Sequence, residues 1–304
     1  MTGGVRRALL GGVALAVAGV VAGWVLTAPE TLPEDSVTAD GGDAARGQTI
    51  FIIGGCASCH AVDGAKGEQK LVLAGGRSFV TEFGTFYAPN ISSDPEAGIG
   101  AWRAVDFINA MKHGVSPDGS HYYPAFPYTS YARMKTEDLL DLWSYLKSLP
   151  ASKQANTPHA VGFPFSIRRG LGLWKRLYLD PEPVVAVGVD LERGRYLVEG
   201  PGHCGECHTP RSAIGGPDHS RWLAGAPNPD GEGTIPNLTP AGGDIASWSE
   251  ADIAEYLKSG FTPDFDTVGG SMTEVVENTG LLSDDDRLAI ARYLKAIPPV
   301  AVAE

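Results

Sequence analysis

The chain is short of the residues from which reactive centres are usually assembled. Its 304 residues include four cysteines, four methionines and seven histidines. It contains no nucleophile elbow, no phosphate-binding loop and no zinc-hydrolase motif, which removes the usual footholds for acyl transfer, phosphoryl transfer and metal-assisted hydrolysis. Positive charge is scarce as well. Against 36 Asp and Glu stand 24 Lys and Arg, a formal charge of −12. That balance argues against nucleic acid as a partner and allows docking to a basic face of another protein. Alternating strand patterns are sparse, and only one long apolar run occurs. Gly 39 and Pro 22 are high for a helical chain and predict short helices joined by long, punctuated loops.

What is present is concentrated. All four cysteines fall in two copies of one pattern, Cys56-Ala57-Ser58-Cys59-His60 and Cys204-Gly205-Glu206-Cys207-His208. Two C-x-x-C pairs can make a four-thiolate zinc site, two disulfides or redox-active dithiols. None of these needs a histidine directly after each pair. Covalent heme attachment does. Two residues in a helical turn put both thiols on one side, where they reach the two vinyl groups on one porphyrin edge. The next residue then brings its imidazole over the ring as proximal iron ligand. The pattern therefore predicts two covalently bound hemes c. One is held by Cys56 and Cys59 with His60 on its iron, the other by Cys204 and Cys207 with His208.

The apolar run lies at the N-terminus. Arg6-Arg7 precedes 19 uncharged residues, Ala8 to Leu26. That is near bilayer-spanning length, and the leading charge favours an N-in, C-out orientation. Two readings stand: an uncleaved anchor, or a cleaved signal segment, although no clear small-x-small site follows. Both export the body to the side of the membrane where heme is attached. The segments expected are 1–28 as membrane anchor or signal, and 29–42, polar and Pro-containing, as a tether.

The rest reads as a repeat. Asp43-Ala-Ala-Arg46-Gly47 leads into the first motif and Asp190-Leu-Glu-Arg193-Gly194 into the second. Pro89-Asn90-Ile91 precedes Trp102 and Gly114; Pro236-Asn237-Leu238 precedes Trp248 and Gly260. The Trp-to-Gly distance is 12 residues in both copies. Each copy ends in a predicted helix closed by proline, Thr136 to Leu149 and Ser283 to Ile297. Ser249-x-x-Asp252 and Ser283-x-x-Asp286 have the form of capping boxes. Ile290, Tyr293, Leu294 and Ile297 make one apolar helical face. Repetition in this order implies two similar units at 43–150 and 190–299. The linker between them, 151–189, carries Phe163-Pro-Phe165, Arg168-Arg169 and Trp174-Lys175-Arg176. It reads as a docking surface, a membrane-facing strip, or packing across the groove between the units.

A second axial ligand is often methionine. Met272 sits in a polar, Gly-flanked stretch before the last helix and is the candidate for the second heme. In the first unit, aligning the final helices puts Phe126 near the place of Met272, and phenylalanine cannot bind iron. Met134 is then the first choice. Met111, on a helix, reads as core. His113 and His121, or an open iron, are the alternatives, with His121 in an exposed-looking Gly-Ser-His turn. His203 and His219 read as surface or structural residues, and no catalytic residue is predicted.

At this point the chain resembles the diheme cytochrome c family related to the cytochrome subunits of membrane-bound alcohol and aldehyde dehydrogenases. The resemblance rests on Cys56-Ala-Ser-Cys59-His60, Pro89-Asn-Ile with Gly98-Ile-Gly100-Ala-Trp102, Tyr123-Pro-Ala-Phe-Pro-Tyr128, and the second motif with Pro236-Asn-Leu and Met272. It implies a mostly α fold of two tandem class I cytochrome c-like domains, each with three main helices around its heme. It also implies an electron carrier that accepts from a periplasmic dehydrogenase and passes electrons to a later cytochrome or terminal oxidase. Those subunits often have three heme motifs, where this chain has two, and often have methionine where Phe126 stands. The competing reading is a diheme redox enzyme of the peroxidase or thiosulfate-oxidising type, working at an open or weakly ligated first heme. A pyridine hemochrome assay of the exported chain is expected to give two hemes c per polypeptide; one heme would break the duplication.

Overall fold

The computed structural model describes residues 3–37, 41–229, 231 and 233–301. Residues 1–2 of the expected anchor, the side chain of Arg6 and residues 38–40 of the expected tether lie outside the described residues. Helix α1 (Gly3–Leu26) carries the apolar run. Its Leu9–Leu26 window is long and apolar enough to cross a bilayer, and none of it is buried against the rest of the protein.

The first half begins with α2 (Ala44–Ile53), started by the Asp43 carboxylate, which accepts from the Ala45 and Arg46 amides. That satisfies donors a helix start leaves open. The first C-x-x-C-H forms the short helix α3 (Cys56–His60). A hairpin follows, β1 (Ser78–Thr81) and β2 (Gly84–Tyr87), with Phe79 opposite Phe86. Helix α4 (Ala104–Ile108) runs on as a π turn over Asn109–His113 and ends at Gly114. Then come α5 (Tyr128–Tyr131) and α6 (Thr136–Ser148). The linker contributes α7 (Leu171–Tyr178). The second half has α8 (Glu192–Glu199), the motif helix α9 (Gly205–His208), and the small pair β3 (Ala226–Pro227) and β4 (Thr234–Ile235). It closes with α10 (Gly243–Ser247), α11 (Glu250–Ser259), α12 (Met272–Thr279) and α13 (Asp284–Ala296).

In each half the helix leading to the motif crosses the terminal helix, α2 on α6 and α8 on α13. The crossing is so close that only glycine fits. A Cβ on Gly47 would lie 2.0 Å from the Asp141 carbonyl oxygen, and one on Gly194 would lie 2.0 Å from that of Ala289. An arginine one residue before each glycine ties the same pair together. Arg46 reaches Asp141 at 2.7 Å and Arg193 reaches Asp286 at 2.8 Å. Around the first crossing pack Ile50, Phe51, Leu139, Leu142, Trp143 and Leu146, all buried. Around the second pack Leu197, Val198, Ile290, Tyr293 and Leu294. Each such side chain contributes roughly 1.5–3 kcal/mol by leaving water.

The terminal helices lie where the apolar spacing predicts them, each one residue short of its predicted end. Ser249 and Asp252 form the expected reciprocal cap. At Ser283 only half of it forms. The serine hydroxyl accepts from the Asp286 amide, but the Asp286 carboxylate has turned to Arg193. The described part of the tether is not a free strap. The Leu32 amide donates to Asn109 at 2.8 Å, and Leu32 and Val37 pack on the first core. Part of the linker reaches both halves, the packing that one of its three readings has it make. Trp174 is buried against Tyr128 and donates to the Ile214 carbonyl at 2.9 Å. Replacing Gly47 or Gly194 by valine should force the helices apart at a cost of about 1–3 kcal/mol or more. Thermal unfolding checks this: the midpoint drops by several degrees, whereas an unchanged midpoint would mean the crossing can relax.

Candidate functional site

Each motif helix ends on its histidine, and each imidazole is held in the same way. His60 Nδ1 lies 2.8 Å from the Pro89 carbonyl oxygen, and His208 Nδ1 lies 2.8 Å from that of Pro236. A carbonyl can only accept, so Nδ1 carries the proton and Nε2 presents its lone pair. This is how a metal-binding imidazole is oriented and its tautomer chosen. The backbone is pinned in parallel. Gly75 N donates to His60 O at 2.7 Å and Gly225 N to His208 O at 2.8 Å.

The proline carbonyls are themselves held, by the asparagine that follows. Asn90 accepts from Ser92 N at 2.9 Å and donates to Ser152 O at 2.7 Å and Gln154 O at 2.9 Å. Asn237 accepts from Thr239 N and donates to Val300 O, both at 2.8 Å. Sequence reasoning used the Pro-Asn pairs only as landmarks of the repeat. Their recurrence at a fixed place was the available signal for a positioning role.

The surroundings suit a covalently held planar group. Burial, with the neighbouring Cys59 thiol, pushes the Cys56 thiol up to about 12, and burial with Cys207 does the same for Cys204. Burial also lowers both motif imidazoles, against the upward pull of their proline carbonyls. Yet Cys56, Cys59, His60 and Cys204 all keep accessible surface. Deep groups that remain accessible line an indentation rather than fill a packed core. Thiols on one side and an imidazole with a free Nε2 are the donor set that heme attachment and iron ligation need.

The candidate sixth ligands sit in unlike places. Gly114 and Gly260 both end their helices in the left-handed region, with φ of 59° and 78°. The next strand-like turn is the same in both halves: Tyr122 N to Gly114 O at 2.7 Å, and Val268 N to Gly260 O at 2.8 Å. Counted from these glycines, Phe126 and Met272 hold the same position. Met272 is not in a loop; it is the first residue of α12 and packs half-buried on the second core. Phe126 packs on the first core, edge-on to Tyr131 at 5.6 Å. Met134 is 2% exposed in the cluster against which Cys56 and Ala57 pack. Counted back from α6 and α13, its counterpart is the buried core residue Leu282. Met111 is buried core, as expected. His121 is buried rather than exposed, with Nε2 3.0 Å from Thr27 O and Nδ1 3.0 Å from Lys175 Nζ. Those contacts engage both ring nitrogens.

Each motif is held by a helix of the other half in a reciprocal clasp. Ser58, third residue of the first motif, accepts from Asn278 Nδ2 on α12 at 3.0 Å. Its carbonyl accepts from Arg77, which also pairs with Glu274 on α12 at 2.8 Å. Glu206, third residue of the second motif, accepts from Thr129 and Ser130 on α5 at 2.8 Å each. Burial pulls the Glu206 carboxyl up, but Arg211 and the two hydroxyls hold it below the usual carboxylate range. The helix that follows the Phe126/Met272 position in each half thus seats the motif of the other. Tyr131 stands in the seam, its ring 5.8 Å from that of His203, which is therefore structural rather than surface, the second of its two expected readings. None of these cross-contacts was visible in the sequence, because no spacing rule links residues so far apart.

Comparison with known proteins finds relatives along most of the chain. The cytochrome c family profile matches residues 44–150. The chain is 54% identical to a diheme cytochrome c-type protein of Cereibacter sphaeroides, over 97% of this chain and 99% of that one. It is 38% identical to the fructose dehydrogenase cytochrome subunit of Gluconobacter japonicus, over 84% of this chain and 53% of that one. It is 39% identical to the cytochrome c subunit of the quinone alcohol dehydrogenase of Komagataeibacter europaeus, over 86% and 57%. The chain therefore spans about half the length of these dehydrogenase subunits. Replacing Thr129 by Val together with Ser130 by Ala strips two donors from a buried carboxylate, a loss of about 1.5–3 kcal/mol for each such bond. The denaturant midpoint should fall while the visible spectrum holds; an unmoved midpoint would show that the clasp adds nothing.

Proposed function

Because this chain belongs to the diheme c-type cytochromes, a family of electron-transfer proteins, we propose that it carries electrons away from a dehydrogenase on the outer side of a bacterial-type inner membrane. The heme supplies a one-electron ferric/ferrous couple. Cys56 and Cys59 hold one group and Cys204 and Cys207 the other, in two tandem cytochrome c-like domains at 43–150 and 190–299. His60 and His208 are the proximal ligands, each kept in the Nε2-presenting tautomer by Pro89 or Pro236. The observation that carries this reading is the duplicated histidine–proline hold, together with the clasp by which each half seats the motif of the other. Two redox groups in one chain can exchange electrons without leaving it.

The donor is a periplasmic dehydrogenase and the acceptor a later cytochrome or a terminal oxidase. The reading draws on the relatives named as dehydrogenase cytochrome subunits. Anchoring through α1, rather than cleavage, is supported by its exit. Thr27 is buried, and the Trp24 and Leu26 carbonyls accept from Arg169 and Arg176 at 2.7 Å each. A segment destined for removal has no need of such contacts.

The two irons differ in their sixth ligand. Met272 serves the second. Met134, buried in the core cluster on which Cys56 packs, serves the first, since Phe126 fills the place Met272 takes. The same phenylalanine gives the second reading its footing: without a thioether there, the first iron is open to a small substrate, and the chain becomes a diheme redox enzyme. The expected outcome is that Met272→Ala removes one Fe–S(Met) charge-transfer signal from the oxidised spectrum and Met134→Ala removes the other. A spectrum unchanged by Met134→Ala would exclude it as ligand and favour the enzyme reading.

A further inference from the structure

The linker carries an exposed apolar surface. Phe163, Phe165 and Ile167 lie in and just after a hydrogen-bonded turn at 83%, 44% and 56% exposure, Phe165 with one edge on Phe83. On α7, Leu173 and Leu177 point outward at 49% and 69%. Their spacing puts them on one helical face, while Trp174 and Lys175 on the opposite face are buried in the protein. Five large apolar side chains in one short stretch are a patch that water disfavours.

The patch adjoins the end of α1. Arg169 donates to Trp24 O and Thr27 Oγ1, and its guanidinium lies 4.1 Å from the centre of the Trp24 ring. Arg176 donates to Leu26 O and pairs with Glu30 at 3.3 Å. The two arginines thus satisfy carbonyls that a helix C-terminus leaves open, at its negative end. Gly172 lets α7 come against Thr27; a Cβ there would lie 2.5 Å from the Thr27 carbonyl oxygen. His121 Nε2 holds the same carbonyl at 3.0 Å. The exit of α1 is therefore clamped to α7 rather than hung on a flexible strap.

That clamp sets a depth. The apolar window of α1 has 18 residues, about 27 Å at 1.5 Å per residue, close to the ~30 Å hydrocarbon thickness of a bilayer. If α1 spans, Leu26 marks the outer boundary, and everything bonded to Trp24 and Leu26 lies at that level. Tryptophan and arginine are residues that settle in this zone, with apolar stems toward the acyl chains and polar tips toward water. An apolar face flanked by arginines matches the character of helices that lie in the interface plane.

We propose that residues 163–177 form a second membrane contact, a lipid-seated strip that lies in the outer interface beside α1 and fixes the tilt of the heme-bearing body. The inference rests on the reading of α1 as an anchor. The strip's occupant is lipid because it is continuous with the lipid-facing surface of α1 and shares its depth.

The test uses the full heme-loaded chain in phosphatidylcholine vesicles containing a lipid with a diazirine near the top of its acyl chain. After illumination, labelled peptides are mapped by mass spectrometry. Labels are expected in both Leu9–Leu26 and 163–177. The double variant Leu173→Gln, Leu177→Gln should lose the α7 label, keep the α1 label and keep the heme spectrum. Labels in α1 with none in 163–177 would overturn the proposal and leave a protein partner as the occupant of the face. Labels in neither would show that the anchor reading has failed, and the strip would fall with it.

Discussion

An imidazole that is to bind iron must offer the right nitrogen in the right direction, and a flexible side chain does neither unaided. Here a proline carbonyl 2.8 Å from Nδ1 does both, at His60 and again at His208. The constraint spreads outward from that bond. The carbonyl is fixed because Asn90 or Asn237 ties its loop to the chain that leaves the terminal helix, at Ser152 in one half and Val300 in the other. The terminal helix is fixed by its crossing with the helix that leads into the motif, where glycine allows the backbones to touch. A displaced crossing would therefore be felt at the imidazole.

The two halves share this scaffold but not its far side. Met272 opens α12 at the position where the first half has Phe126. The substitution trades a polarizable sulfur for a ring that can only pack, and the ring is locked among Tyr122, Tyr128 and Tyr131. On the proposed reading both irons take a thioether, from Met272 and from Met134, so the two sites would differ in what surrounds the ligand rather than in its type. The clasp ties each motif to a helix of the other half.

Much of this could be read from the residues. The paired C-x-x-C-H motifs, the Pro-Asn landmarks and the apolar face of Ile290, Tyr293, Leu294 and Ile297 are local patterns, and local patterns follow from helical geometry. So does the stop of α6 before Pro150, where the residue ahead of a proline leaves the helical region. What escaped depends on distant partners. Asp286 looks like a capping residue until Arg193 is placed beside it. His121 looks exposed in its turn until Thr27 and Lys175 close over it. Met272 looks like a loop residue because Gly269 and Gly270 precede it, yet Glu274 and Asn278 give α12 a docking site on the first motif. The described tether residues look like a strap because nothing in their order announces Asn109 as a partner for Leu32.

The central claim is that one chain holds two heme sites with the same proximal side and different distal sides. A spectroelectrochemical titration of the membrane-reconstituted chain tests it most directly. The account predicts two one-electron transitions at separate potentials with distinguishable difference spectra. A single transition, or two that cannot be told apart in potential, would contradict it.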